Sequence, residues 1–477
     1  MTKHMKKILF ALFATCLLEG CGIYNKYKQP DLTATTDSLF REELAADTAS
    51  SLAELSWKEL FADPQLQDLI SQALRTNTDL RIARLKVKEA QASLMSSKLA
   101  YLPSLQLDPE GSLSSFEGSK PAKTYTLGAS ASWEADLFGK LTNAKRNARA
   151  ALEESDAYRQ AVQTQLIATV AESYYTLLML DEQANVTAET AENWKEYVQT
   201  LYSLMKAGQA DRSTVSQAEA SRADATASLL SLQQSIKETE NSLSSLLGQT
   251  ARHIERGSLS RQSFPQNLST GVPLDLLANR PDIRQAEAAL KQAFYTTNSA
   301  RAAFYPSIML NGAAGWTNNG GTTITNPGGW LLQAIGSLIQ PLFNRGENIA
   351  NLKIAKAQQE EALLSFRQSL LDAGEEVNNA LSQWQTARER IRLNDEQVKH
   401  LQNTVHDTQL LMEHGTTNFL EVLTARQSLL SARLTLIADR YDEIQSVISL
   451  YHALEAEETA RDTLFFSLSY TLPVSGP

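Results

Sequence analysis

The chain has 477 residues, with 44 Lys and Arg against 54 Asp and Glu, a net charge of −10, two Cys, 13 Pro and 21 Gly. An acidic balance without a long basic run gives no electrostatic footprint for nucleic acid. Apolar residues make up 43% and charged ones 21%, and no uncharged apolar run approaches the ~20 residues of a bilayer-spanning helix, so the chain is soluble or crosses a membrane by another route.

The first twenty residues read as an address. Lys3, Lys6 and Lys7 precede the apolar run Ile8 to Leu18, which fits a secretory signal and is too short to span a membrane. Leu18-Glu19-Gly20-Cys21 then resembles a bacterial lipobox, with Glu19 departing from the usual small residue. Cys21 is the expected lipidation site, the alternative being an incidental Cys after an ordinary signal. Residues 1–20 are thus read as a lipoprotein signal peptide and 21–60 as a lipidated, extended N-terminal segment. Cleavage before Cys21 discards Cys16 and leaves no intrachain disulfide. Gly22, rather than Asp, follows the lipidated position, which in lipoproteins generally favours sorting to the outer membrane.

Two tracts, 122–264 and 342–472, contain no Pro. Within 140–247 the only Gly is Gly208, and within 347–472 there are only Gly374 and Gly415. Pro costs ~3 and Gly ~1 kcal/mol inside a helix, so each tract reads as a long helical hairpin, broken once. Residues 140–207 would extend about 100 Å as one helix. Leu363, Phe366, Leu370, Ala373, Val377, Ala380 and Trp384 fall at alternating spacings of three and four, a coiled-coil seam that Ile167, Val170, Tyr174 and Leu177 repeat.

Between these tracts the period changes to two. From Thr124 to Trp133, Tyr125, Leu127, Ala129, Ala131 and Trp133 alternate with Thr124, Thr126, Gly128, Ser130 and Ser132, a strand with one apolar and one polar face. Residues 307–317 do the same less cleanly, and Leu105 to Leu113 and Trp330 to Gln340 are their partners. About ten residues per strand suits a tilted transmembrane β-strand.

The two halves are copies. Residues 79–107 align with 282–310 without a gap, and ten of 29 positions are identical. The first repeat spans 61–257, with a helix, a β-hairpin at 104–133 and a helical hairpin at 139–248. The second spans 258–460, with a helix at 281–303, a β-hairpin at 306–341 and a helical hairpin at 345–460; 461–477 form a C-terminal tail. Such duplication of a whole unit differs from a short solenoid repeat.

Asn77-x-Asp79-Leu80, Tyr101-Leu102-Pro103-Ser104, Trp133-Glu134-Ala135-Asp136-Leu137-Phe138-Gly139-Lys140, Arg280-Pro281-Asp282-Ile283, Pro306-Ser307 and Pro341-Leu342-Phe343 resemble signatures of the TolC-like outer membrane efflux factors, in the lipoprotein branch that includes OprM and the NodT-like proteins. The resemblance departs at Leu450-Tyr451-His452-Ala453-Leu454-Glu455, where the family often ends in a Gly-rich motif. It implies a mainly α fold with a β-barrel part. Four transmembrane β-strands per chain enter a trimeric 12-stranded outer-membrane barrel, and long coiled-coil helices form a periplasmic α-helical tunnel. Pooling also follows from physics, since four strands cannot close and open edges are not tolerated in lipid. Even-numbered bacterial barrels start at eight strands, which admits two chains or three; the resemblance selects three.

The polar face of Thr124, Thr126, Ser130 and Ser132 is then expected to line a pore. In the family the helix-hairpin turns form the periplasmic tip where an adaptor docks. Here these are Gly208, Ala210, Asp211, Ser213 and Thr214 in one turn, and Gly415, Thr417 and Asn418 in the other. Glu421 resembles an acidic residue at the closed entrance, where three copies would form a carboxylate ring. Asn418-x-x-Glu421 also has capping-box spacing. Thr424 is not acidic where some relatives carry a second acid.

Nothing in the sequence looks catalytic. The six His include no helical zinc pair, and neither a phosphate-binding Gly-rich loop nor a nucleophile elbow is present. Neither a cofactor nor a metal is expected. The function expected is a passive exit duct for drugs or other small toxic compounds. An inner-membrane pump of the RND type supplies the energy, a periplasmic adaptor connects the two, and outer-membrane lipid surrounds the barrel. Alternatives are protein secretion or metal-ion efflux through such a duct and, in a different class, a periplasmic coiled-coil scaffold or adaptor. A diffusion porin would need many more strands per chain.

Overall fold

The computed structural model describes residues 25–30, 56–116, 118, 121–262, 264, 280–317, 329–414 and 417–454. The signal peptide, Cys21, Gly415 and the tail 461–477 lie outside them. In chain order the helices and strands are α1 (Trp57–Leu60), α2 (Pro64–Thr76), α3 (Thr78–Leu99), β1 (Ser104–Ser114), β2 (Ala122–Ala135), α4 (Lys140–Lys206), α5 (Arg212–Leu246), α6 (Pro281–Ala302), β3 (Ser307–Thr317), β4 (Gly329–Ile339), α7 (Glu347–Glu413) and α8 (Phe419–Leu454). Among the described residues no helix is long and apolar enough to cross a membrane.

The duplication is legible in element lengths. α3 and α6 each have 22 residues, β1 and β3 each 11, and α4 and α7 each 67. Matching residues are 203 apart through β3 and 207 apart from α7 onward, because the connection 318–328 is four residues longer than 115–121. The chain forms two compact units, and neither is a repeat. Of the described residues, one contains those within 84–158 and 282–369 and the other those within 33–83, 159–281 and 370–477, so each unit draws on both halves.

The first unit holds one antiparallel sheet in the order β1-β2-β3-β4. β1 and β2 run one or two residues beyond the ends expected from alternation, β3 matches its expected span, and β4 lies one residue earlier. β1 pairs Ser104 with Ser132, β2 pairs Thr126 with Thr317, and β3 pairs Ser307 with Ile339. The join from β2 to α4 explains the sequence around Asp136. Its carboxylate accepts from the backbone N–H of Leu141 (3.0 Å) and Thr142 (2.8 Å), satisfying donors that the first helical turn leaves unpaired. Phe138 stacks on Tyr305 at 5.2 Å. Phe343, its counterpart in the second repeat, is 87% exposed.

In the second unit the coiled-coil stripes are core. Ile167, Val170, Tyr174 and Leu177 are buried, as are Leu370, Ala373, Val377 and Ala380. Asn77 divides α2 from α3: its Oδ1 accepts from Leu80 N at 3.0 Å, and its amide donates to the Leu246 carbonyl at 3.0 Å. The repeat-equivalent residue is Arg280, fully enclosed, which donates to the carbonyl of Ala453, the equivalent of Leu246, at 2.6 Å and to Glu376 at 2.8 Å. Both repeats thus close the end of their last helix from the same position with different chemistry. Arg256 joins Asp181 and Glu240 at 2.5 Å each; beside them, Tyr174 donates to Asp63 at 2.7 Å and accepts from Gly257 N.

The tightest point of the sheet is the crossing of β2 and β3. A Cβ on Gly315 would lie 2.6 Å from Gly128 Cα and 2.7 Å from the Leu127 carbonyl oxygen, whereas one on Gly312 would meet nothing nearer than 3.7 Å. Gly315→Ala is therefore expected to lower the thermal unfolding midpoint in detergent, by an overpacking cost of about 1–3 kcal/mol. Gly312→Ala should leave the midpoint within error, and equal midpoints would show that this approach is not limiting.

Candidate functional site

The sheet's two faces differ in chemistry most clearly along β1 and β2, while β4 adds Ile335 and Ile339 to the hydroxyl-bearing side. On one, Thr124, Thr126, Ser130 and Ser132 of β2 lie beside Ser112, Glu110, Gln106 and Ser104 of β1. Ser112 and Thr124 hydroxyls are 2.6 Å apart, Thr126 donates to Thr317 at 3.3 Å, and Ser130 donates to Asp108. These β2 side chains are half-buried. On the other face Leu105, Leu107 and Leu332 are 77–82% exposed, with Leu127 and Leu338 also open. A water-soluble sheet buries its apolar face and wets the other; this sheet reverses that order. An exposed apolar face of this extent marks a lipid or protein contact.

The four predicted polar residues therefore share one face, with Asp108 and Glu110 added to it. Among the described residues the sheet also has two unpartnered edges, β1 and β4, each 11 residues long. Pro109 lies on β1, and an edge is where a sheet tolerates proline.

The turn between α4 and α5 is set by Gly208, whose φ of 73° is easy for Gly alone. Its N–H donates to the Met205 carbonyl at 3.0 Å and that of Gln209 to Leu204 at 2.9 Å, a Schellman end. Ala210 is half-buried. Asp211 then caps α5, accepting from Thr214 N at 2.8 Å, Ser213 Oγ at 2.7 Å and Thr214 Oγ1 at 2.9 Å. These bonds, the Ser213 hydroxyl first, hold its carboxyl below the usual Asp range.

In the turn between α7 and α8, Asn418 accepts from Glu421 N at 3.1 Å, and Thr417 donates its hydroxyl to the exposed Glu421 carboxylate. Half of the capping box is therefore made, and Thr417 takes the carboxylate.

Beneath the turns, Trp194, Tyr197, Leu201, Val215, Val422 and Leu423 form a local core. It borders a cavity of about 860 Å³ lined by residues of α4, α7, α8 and both turns, among them Tyr197, Gln409, Met412, Thr417 and Arg426. The Arg426 guanidinium lies 4.8 Å from the Tyr197 ring centroid and donates to Gln409 at 3.1 Å; its buried Nε has no partner among the described residues. Burial lowers its proton affinity, against the pull of Tyr197 and Glu196. Arg426 thus ties α8 to α4 and α7, a role that Thr424-Ala425-Arg426 does not announce in sequence.

Gly208→Ala is expected to destabilise the first turn by about 1 kcal/mol through its positive φ alone, since a Cβ there would meet nothing within 4 Å. The carboxyl of Asp211 is held below the ordinary value of 3.8. The cap's contribution is therefore complete above that value and is lost as pH falls through the lower folded one. Hydrogen exchange at Thr214 N checks both effects. Protection should persist at about pH 5 and decline as pH falls below the ordinary Asp value, and in Asp211→Ala it should be low already at about pH 5; unchanged protection in that variant would remove the cap from the account.

The model of the outer membrane efflux protein family matches residues 69–249 and 272–455. The cation efflux system protein CusC of Escherichia coli is 29% identical over 440 residues, covering 92% of this chain and 96% of its own length. The toluene efflux pump outer membrane protein TtgC of Pseudomonas putida is 30% identical over 471 residues, covering 94% and 96%. The open state of the Neisseria gonorrhoeae MtrE outer membrane channel superposes with a TM-score of 0.81 at 29% identity, covering 91% of this chain and 98% of that one. With both halves of the duplication matched and the fold shared along nearly its whole length, the chain belongs to the outer membrane efflux protein family.

Proposed function

We propose that this outer-membrane efflux channel is the passive exit duct of a tripartite exporter, assembled from three copies that pool four strands each. The observation that carries the reading is the inverted sheet. Its apolar face suits lipid, its hydroxyl-rich face suits a water-filled lumen, and its two open edges require neighbours, because lipid offers backbone groups no hydrogen-bond partners. An inner-membrane pump of the RND type supplies energy, and a periplasmic adaptor docks at the turns carrying Gly208, Ala210, Asp211, Ser213, Thr214, Gly415, Thr417 and Asn418.

Cys21 is the proposed lipid attachment. Asn298 donates to the Asn25 carbonyl at 3.0 Å, and Tyr27 meets Phe294 edge-on at 5.6 Å. Four residues span at most about 14 Å, so this strap holds the anchor within reach of the end of α6 that leads into β3.

Small toxic compounds are the proposed cargo. Metal cations are a second reading, favoured by the carboxylates of Asp108 and Glu110 on the polar face and by the name of CusC, a cation efflux protein. TtgC is named for toluene, an uncharged hydrocarbon, so relatives of similar identity serve different chemistries. Cargo choice accordingly falls to the pump in this account.

Glu421 is the proposed entrance gate, three carboxylates around one axis drawing in cations and repelling anions. Opening is an iris-like shift of the helices near the turns, selected by adaptor contact. Glu421→Gln and Glu421→Ala should raise conductance or weaken cation block in planar bilayers. Unaltered currents in both would leave Glu421 as a helix cap only. A heat-modifiable trimer on a gel supports the duct over a periplasmic scaffold, and its absence favours the scaffold.

A further inference from the structure

Where α7 and α8 run antiparallel past each other, a groove stays open among the described residues. Arg390, paired with Asp439 and Asp442, and Arg388, whose Nε lies 3.8 Å from Glu443, fix how the two helices match. Across this seam and against the single turn Leu259–Arg261 lies a cavity of about 420 Å³. Its apolar wall is made by Leu259, Phe264, Trp384, Ile391, Ile444 and Val447, of which Phe264, Trp384 and Ile391 are only half-buried. The polar rim is cationic: Arg388 and Arg440 stand there with Glu443 as their one carboxylate. The Arg388 guanidinium lies over the Trp384 ring at 4.8 Å. Among the described residues Arg440 bears on Glu443 and Asp395 without a hydrogen bond to either, and Asp395 is already held by Lys399 at 2.6 Å. Such a groove fits an occupant with an apolar end and negative charge beside it.

The chain carries a segment of that chemistry beyond the described residues. Glu455, Glu457, Glu458 and Asp462 set four acids against Arg461 alone, and Leu464, Phe465 and Phe466 come directly after. This stretch follows the point where the sequence departs from the Gly-rich family ending. α8 ends at Leu454, about 10 Å along the helix from Val447 and about 21 Å from Arg440. The link from Leu454 to Leu464 spans up to about 33 Å, enough to reach every part of the groove. Tethered to the same chain, the segment meets it at a high effective concentration, so modest contacts suffice.

We infer that residues 455–466 fold back along α8 and close this groove. Leu464, Phe465 and Phe466 cover the Trp384 and Phe264 rings, and the preceding acids pair with Arg388 and Arg440. Exposed ion pairs add little to the hold; they set the direction of entry, and burial of the aromatic rings supplies most of the binding. The segment then ties α7 and α8 to residues 259–264 as a strap, through contacts made within one chain and independent of the exit duct.

The test uses the full-length protein, expressed with its signal and extracted in detergent. Ser260→Cys with Phe465→Cys, under mild oxidation, should give an intrachain disulfide in most molecules, located by peptide mass mapping. Lys399→Cys with Phe465→Cys puts the first thiol beyond the groove on α7 and should react at least about tenfold more slowly, because docking no longer concentrates the partners. Arg388→Glu with Arg440→Glu should slow the Ser260–Phe465 cross-link measurably, and adding Glu457→Arg, Glu458→Arg and Asp462→Arg should restore it. Ser260, Lys399, Arg388 and Arg440 are all exposed, so these variants spare the core. Equal rates for the two cysteine pairs would overturn the inference. So would the absence of any disulfide, which would leave the groove to residues 265–279 or to another protein, and so would a disulfide between chains, which would place the segment on a neighbouring copy. Cross-linking indifferent to charge reversal would overturn the arginine pairing.

Discussion

A β-strand at a sheet edge presents a row of unpaired N–H and C=O groups, and inside a bilayer those groups have no water to turn to. In this protein that constraint meets a sheet that has four strands among the described residues, with two long open edges and an exposed apolar face. No rearrangement within one chain removes both edges, since four strands are too few to close around a lumen. In the proposed duct, assembly is then part of folding. The single chain specifies a segment of wall, and the proposed lumen with its hydroxyls and carboxylates exists only once neighbouring copies complete it.

The helices obey a complementary constraint. Two 67-residue helices cannot rest on intrinsic propensity alone; most helical stability in a protein comes from packing an apolar face. Here the face is narrow and rich in Ala and medium-sized residues, and the ends are secured individually. Asp136 does this at the start of the 67-residue α4, Asp211 at the start and Asn77 at the end of α5, and Arg280 at the end of α8. The pairing of Asn77 with Leu246 and of Arg280 with Ala453 shows the duplicated design retained while its chemistry diverged. One repeat uses a neutral amide, the other a buried guanidinium that also holds Glu376.

How much of this was legible in the sequence depended on the range of the interaction. Alternation at Thr124 to Trp133 and the stripe from Phe366 to Ala380 are local periodicities, and they placed the strands and the buried seam to within a residue or two. Gly208 was readable as the break in the first helical tract because a positive φ is a short-range matter. The division of the helix before β1 at Asn77 was not read, since Asn77 serves α3 and α5 at once and its second partner is 169 residues away. Arg256 with Asp181 and Glu240, and Arg426 beneath Tyr197, were invisible for the same reason: each looks like a surface charge until distant helices enclose it. At Glu421 spacing allowed either a cap or a gate. The structure shows its N–H capped by Asn418 and its carboxylate exposed and held by Thr417.

The claim beneath all of this is that one chain is an unfinished wall. Native mass spectrometry of the processed protein, released gently from detergent micelles, tests it most directly. The account predicts a complex of three chains that keeps bound detergent or lipid and yields no folded single chain on dilution. A folded, detergent-free single chain stable in water would contradict it, because the apolar sheet face and both strand edges would then have to be satisfied without a partner.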